Sequence, residues 1–180
     1  MLFRSPQNPK TPQGLITIKM KIAQEALRKT GQRKFGMAQA LKVQKASTLK
    51  DTPRDLSMTT DHMLCVPWTD GKGWAAPEIK PYGSIKVPTT ATVLHYGMSC
   101  FDGFIVARNR ETGELQAKDL DKHIDRLNAA SRHLDLPAFD KNELKHLISE
   151  LLKVEARWVP EGGSNHVYVR MQHFSLDPTL

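Results

Sequence analysis

The sequence predicts an α+β domain in which two packed helices lie on a mostly antiparallel sheet. Two apolar stripes at helical spacing, Leu120 to Leu134 and Leu144 to Leu152, follow one another, with short β-prone runs before and after them. Those runs do not alternate with helices as a parallel βαβ sheet would require. The composition, 39% hydrophobic and 25% charged over 180 residues, is that of a folded body large enough for one core.

The N-terminal quarter stands apart. Residues 1–50 hold eleven of the 26 basic residues but one of the 19 acidic ones, Glu25, whereas residues 51–180 are mildly acidic. A basic, acid-poor leader has the character of a mitochondrial transit peptide. Between Met20 and Leu41, Ile22, Ala26, Leu27, Met37 and Leu41 are spaced for one helix face, with Arg28, Lys29, Arg33 and Lys34 between them. The expected location is mitochondrial, with the cytoplasm as the alternative if the leader is a plain basic tail. Residues 51–58 read as a linker around Pro53, residues 42–50 share that polar composition, and the domain is expected over 59–180.

Within that domain, His62 to Trp68 reads as a short strand, followed by a turn at Asp70-Gly71-Lys72-Gly73. Ser84-Ile85-Lys86-Val87 alternates as a strand and stops at Pro88. Phe104 to Asn109 and Glu114 to Ala117 read as a hairpin with Gly113 at its turn. The first helix, Asp119 to Leu134, carries its stripe on Leu120, Ile124, Leu127, Ser131 and Leu134. The second has Asp140 at its N-cap, Glu143 three residues on, and Phe139 with Leu144 as a hydrophobic staple. Pro160 and Gly162-Gly163 end it. The final strand, Asn165 to Phe174, turns Val167, Val169 and Met171 to one side, and His166, Tyr168, Arg170 and Gln172 to the other.

Several functional classes drop out. No apolar run is long enough to span a bilayer. The basic leader has no Tyr or Trp to stack on bases, so nucleic acid is not the expected partner. Cys65 and Cys100 stand too far apart for a Cys-x-x-Cys pair and are expected to be buried thiols. No metal centre is expected, since the seven histidines lack ligand spacing. His95 and Ser99 are too close in sequence for a hydrolase pair, and no Gly-x-x-x-x-Gly-Lys or Gly-x-Gly-x-x-Gly loop is present. What remains is a possible anion pocket with an aromatic wall. Arg126, off its helix stripe, is either a solvated arginine or an anion ligand, for which its permanently charged fork of donors is suited. Tyr168 and Arg170 share one strand face that is either open to water or lines a cleft. Tyr96 and Phe101 are either core or pocket.

Separated motifs then carry a resemblance. Thr60-Asp61-His62-Met63-Leu64, Trp68, Gly73-Trp74, Ile79-Lys80-Pro81, Leu94-His95-Tyr96, Phe101-Asp102-Gly103, Asp125-Arg126, Leu136-Pro137, Phe139-Asp140, Trp158-Val159-Pro160 and Tyr168-Val169-Arg170 occur in order over about two thirds of the chain. Together they resemble the N-terminal part of the branched-chain amino-acid aminotransferases, pyridoxal 5'-phosphate enzymes of fold type IV. The resemblance implies the small domain of such an enzyme, a homodimer when full length, moving the amino group of leucine, isoleucine or valine to 2-oxoglutarate. It implies that Arg126 binds the cofactor phosphate, that Tyr96, Phe101 and Tyr168 wall the substrate pocket, and that Arg170 orders the site near the substrate carboxylate. It also implies an absence. The family's lysine, which bonds the cofactor covalently, precedes a Gly-Gly-Asn-Tyr run in the large C-terminal domain, and this sequence contains no such run. The expectation is therefore a truncated family member with no catalytic lysine, inactive alone. The alternatives are a non-catalytic interaction module or a fragment of another fold-type IV enzyme. Upstream of Thr60, where the family commonly has Phe-Gly, this chain reads Asp55-Leu56.

Overall fold

The longest strand, β7 (Ser99–Arg108), organises the chain. Phe101, Phe104, Ile105 and Val106 favour the extended backbone there. The computed structural model describes residues 15–17, 37–50, 59–161 and 166–178. Most of the expected leader, including residues 20–36 of the expected targeting helix, and the expected 51–58 linker lie outside the described residues, as does Gly162-Gly163. On one side of β7 lies β8 (Leu115–Lys118), joined to it by a turn in which Gly113 adopts φ +69°. On the other lies β9 (Val167–Phe174), paired from Ser99 opposite Phe174 to Val106 opposite Val167. A short β1 (Leu15–Thr17) completes the antiparallel order β1-β8-β7-β9.

Strand alternation gives β7 two different faces. Phe104 and Val106 are buried under α2 (Leu120–His133) and α3 (Lys141–Val154), in one core with Ala117, Leu120, Ile124, Leu127, Ile148, Leu152, Val159 and Met171. Each large side chain fully removed from water there contributes about 1.5–3 kcal/mol. Both helices are the ones the stripes predict. After α2 the backbone closes in a Schellman motif, with Asp135 left-handed at φ +53° and the Leu136 N–H on the Ser131 carbonyl at 2.9 Å. At the start of α3, Asp140 Oδ1 accepts from the N–H groups of Asn142 (2.8 Å) and Glu143 (3.0 Å), so the expected cap forms.

A second, smaller sheet has the order β2-β6-β3, from β2 (Lys42–Val43), β6 (Glu78–Pro81) and β3 (His62–Cys65). The strand expected from His62 to Trp68 stops before Pro67, and a separate hairpin of β4 (Trp68–Thr69) and β5 (Gly73–Trp74) follows. Ser84–Val87 is not a strand: residues 82–90 are all exposed, Ile85 and Val87 included. Among the described residues the alternation there has no neighbouring strand to pair with, because β6 ends at Pro81 and Pro88 removes a further donor. A single turn, α1 (Thr92–His95), then leads into β7.

Residues 42–50 are bonded into the fold, although their composition reads as linker. The Lys42 and Gln44 N–H groups donate to the Pro77 and Ile79 carbonyls at 2.9 and 2.8 Å. Further along, the partners are buried side chains. Asp61 accepts from the Lys50 N–H (2.8 Å), from Trp158 Nε1 (2.9 Å) and from the Arg157 guanidinium. The Asp61 N–H donates to Glu155 Oε2 at 2.9 Å. His62 Nε2 accepts from the Ala46 N–H at 2.8 Å, which requires that its proton sit on Nδ1, 2.5 Å from Glu155 Oε1. Asp61, His62 and Glu155 are all buried. One strand is thereby tied to residues 46–50, to the end of α3 and to the turn Ala156–Trp158.

Burial alone would raise the Asp61 carboxyl, but the bonds from Lys50, Arg157 and Trp158 outweigh it and hold it at about 2, against an ordinary 3.8. A carboxyl lowered by folding stabilises the folded state above its unfolded value, and that stability is lost as pH falls. We therefore expect roughly 2 kcal/mol to disappear between about pH 4 and pH 2. Urea unfolding at stepped pH should show that slope in the parent and a much flatter one in Asp61→Asn. Asp140→Ala should cost about 1 kcal/mol in the same assay at neutral pH, by leaving the first N–H groups of α3 without their acceptor.

Candidate functional site

The face of β7 turned away from the helices presents Phe101, Gly103 and Ile105 opposite Gln172, Arg170 and Tyr168 of β9. Phe101 is 64% and Tyr168 51% exposed, so neither aromatic belongs to the core. The Arg170 guanidinium carbon lies 5.6 Å from the centroid of the Phe101 ring and 5.9 Å from that of Tyr168, in reach of cation–π attraction to both. Tyr168 lies across Gly103, and a methyl group added there would overlap its phenol. The result is a surface of two aromatic rings around one permanent cation. It suits a ligand that combines an apolar group with an anionic one.

Arg126 sits elsewhere. Its Nε donates to Asp102 Oδ2 at 2.8 Å and its Nη2 to Oδ1 at 2.9 Å, a bidentate pair. Asp102 Oδ1 also accepts from the Gly103 N–H at 2.7 Å and lies 2.8 Å from His123 Nδ1. A proton on that nitrogen is needed for it to face a carboxylate, so the 2.9 Å approach of Arg126 Nη2 to the same nitrogen is packing and no hydrogen bond. Burial would raise the Asp102 carboxyl, yet hydrogen bonds from Arg126, His123 and Gly103 hold it below the usual carboxylate range. The Asp102 hydrogen bond in turn raises the Arg126 guanidinium, so it stays charged at any working pH. The Arg126 side chain is 65% exposed, which leaves it open to an outside anion.

Phe101, Tyr168 and Arg170 are thus brought together, and Arg126 is not with them. Neighbouring residues of a strand point to opposite faces, so Asp102 and the Arg126 it holds lie on the helix side of the sheet. Tyr96 closes α1, 63% exposed, with its ring 6.4 Å from that of His95. Asp102, Gly103 and His123 were not assigned roles from sequence. A signal for His123 exists: it precedes Arg126 by three residues and therefore shares its helix face. The thiols of Cys65 and Cys100 are free and half-buried, less enclosed than expected. Cys100 lies at the open end of β7, with Sγ 3.4 Å from Ser131 Oγ, which is 2.9 Å from His173 Nδ1. Burial pushes the His173 imidazole down.

The chain is 34% identical over 148 residues to the cytosolic branched-chain-amino-acid aminotransferase of Mus musculus, which covers 79% of this chain and 38% of that protein. It is 33% identical over 145 residues to the mitochondrial branched-chain-amino-acid aminotransferase of Schizosaccharomyces pombe, covering 78% and 34%. With a probable branched-chain-amino-acid aminotransferase of Staphylococcus aureus the figures are 34% over 149 residues, 80% and 41%. Over that span the chain is homologous to branched-chain aminotransferases. It spans 34–41% of the length of these branched-chain aminotransferases. No protein-family model matches it. Among solved structures, a branched-chain aminotransferase from Thermoproteus uzoniensis overlaps at a TM-score of 0.47 and 21% identity, covering 66% of this chain and 35% of that one. No described helix is long and apolar enough to cross a membrane.

Gly103→Ala tests how the outward face is built. The added methyl should displace the Tyr168 ring and separate it from Arg170, while global stability changes by less than about 1 kcal/mol because a flexible ring tip gives way. Tyr168 ring proton shifts should move and the unfolding midpoint should not. Unmoved shifts would show that Tyr168 does not lie over Gly103.

Proposed function

We propose that this chain supplies the small-domain half of a pyridoxal 5'-phosphate-dependent branched-chain aminotransferase, acting on leucine, isoleucine or valine with 2-oxoglutarate as the amino acceptor. The observation that carries the reading is the Arg170–Phe101–Tyr168 stack, open on the face away from the helices, within a segment homologous to that family. A branched aliphatic group needs an apolar wall, and both the amino acid and the oxo acid carry a carboxylate. Rings and guanidinium side by side serve both needs.

The residues present fit the cofactor in part. The described bonds of Arg126 use Nε and Nη2, both towards Asp102, so Nη1 is the donor it would offer a phosphate oxygen. Asp102 and His123 fix the plane of that guanidinium before any anion arrives, which lowers the ordering cost of binding. When bound, pyridoxal phosphate acts as the electron sink for the bond broken at the substrate Cα. Phe101 and Tyr168 would exclude water from the side chain of the substrate, with Tyr96 as a further wall, and Arg170 would orient its carboxylate. No lysine in these 180 residues stands in the family's Gly-Gly-Asn-Tyr context, so the proton at Cα needs a base from outside this sequence. We read residues 59–180 as the small domain, residues 1–50 as a leader directing the protein to mitochondria, and the working assembly as a homodimer.

Isolation, complementation and substitution each test this. Alone, the purified chain mixed with pyridoxal phosphate should develop no borohydride-sensitive visible band and should not transaminate leucine. Supplied with the C-terminal remainder of a homologous branched-chain aminotransferase, it should restore turnover of leucine over alanine. Arg126→Ala should weaken cofactor retention in that complex by roughly tenfold or more, and Tyr168→Ala should raise the KM for leucine. A covalent cofactor adduct on the isolated chain, or failure to bind or activate the supplied half, would overturn the proposal.

A further inference from the structure

We infer that His62 is a proton-controlled latch on residues 44–50. These residues are held at three points. At one end the Gln44 N–H is bonded to the Ile79 carbonyl at 2.8 Å, and at the other the Lys50 N–H is bonded to Asp61 Oδ1 at 2.8 Å. Between them the Ala46 N–H is bonded to His62 Nε2, also at 2.8 Å. The two outer acceptors, a backbone carbonyl and a carboxylate held near 2, keep their lone pairs throughout the neutral and mildly acidic range. The middle acceptor is a ring nitrogen, which loses its lone pair on protonation.

The other ring nitrogen decides what then gives way. Nδ1 already bears a proton and faces Glu155 Oε1 at 2.5 Å, so a second proton can go only to Nε2. The new N–H meets the Ala46 N–H head-on, donor against donor, whereas the contact with Glu155 gains charge and holds. Of the groups facing the ring, Glu155 at the end of α3 touches it directly. Asp61 and Arg157 are linked to it through Glu155 and Asp61 in turn. The Lys50 ammonium lies on the Thr59 and Thr60 carbonyls at 3.3 and 3.2 Å, and Pro81, the cross-strand partner on β6, is uncharged. The charge added to His62 is thus met by a carboxylate already in place, and the site where the proton enters is the one holding the strap. Acidification frees the middle of residues 44–50 while both ends stay bound.

Amide hydrogen exchange by NMR on the full chain, from pH 8 to pH 5, reads this residue by residue. After correction for the intrinsic pH dependence of exchange, Ala46 should lose about tenfold in protection, the effect of one hydrogen bond. The Asp61 amide, held by Glu155, and the Lys50 amide, held by Asp61, should keep theirs. Ring 15N shifts should show the Nδ1–H tautomer above the transition and the doubly protonated ring below it. Glu155→Gln keeps an acceptor for Nδ1–H but removes the charge, so its Ala46 transition should move to lower pH. The latch is refuted if Ala46 protection is flat over that range, if Asp61 and Lys50 lose protection in step with it, if the high-pH tautomer carries its proton on Nε2, or if Glu155→Gln leaves the transition in place.

Discussion

The period-two alternation of β7 governs the rest of the structure. One strand with a neighbour on each side has to serve as the floor of the core and as an open surface. Phe104 and Val106 take the first duty, both at 2% exposure or less, and Phe101, Gly103 and Ile105 the second. A slip of one residue would exchange the two sets and put Phe101 under α2 and Phe104 in water. The eight paired positions with β9 and the tight turn to β8 fix the register from both sides. Glycine at position 103 then acquires a reason: the outward face has room for Tyr168 only where β7 carries no side chain.

The same alternation separates two positive charges. Arg170 belongs to the open face, between rings, and Arg126 to the helix side, where Asp102 neutralises it at contact distance. A ligand that uses both must reach around the sheet, and the two arginines meet it on different terms. Arg126 is preset by a carboxylate and an imidazole, whereas Arg170 is positioned by aromatic faces. The first favours fixed geometry, the second a softer fit to ligands of different shape.

What was legible in the sequence follows from which interactions are local. The helices α2 and α3 were readable because their stripes and the Asp140 cap lie within a few residues of one another. So was the hairpin, since Gly113 marks its turn. Ser84–Val87 misled because alternation shows only that a segment is able to pair, and pairing needs a neighbour that sequence does not display. Residues 42–50 look like linker because the groups that hold them are distant: Arg157 reaches the Lys50 carbonyl across 107 residues, at 2.6 Å. Arg126 was singled out alone because its carboxylate lies 24 residues upstream. The motifs Thr60-Asp61-His62-Met63-Leu64 and Trp158-Val159-Pro160, far apart in the chain, turn out to be two sides of one buried contact between Asp61 and Trp158. That contact belongs to the scaffold and not to the open face of β7.

The exposed run 82–90 links the smaller sheet to α1 and β7 and joins no ladder, its Tyr82 N–H held by the Asp61 carbonyl at 2.8 Å at the start. A protease would find that run before any ladder-bonded strand. Severing it would not by itself part the two sides, because His62 with Glu155, Asp61 with Trp158, and Trp74 Nε1 with the Ala138 carbonyl at 2.9 Å all cross the cut. The clipped protein would migrate as two bands on a denaturing gel and as one particle on a sizing column, a pair of complementary fragments.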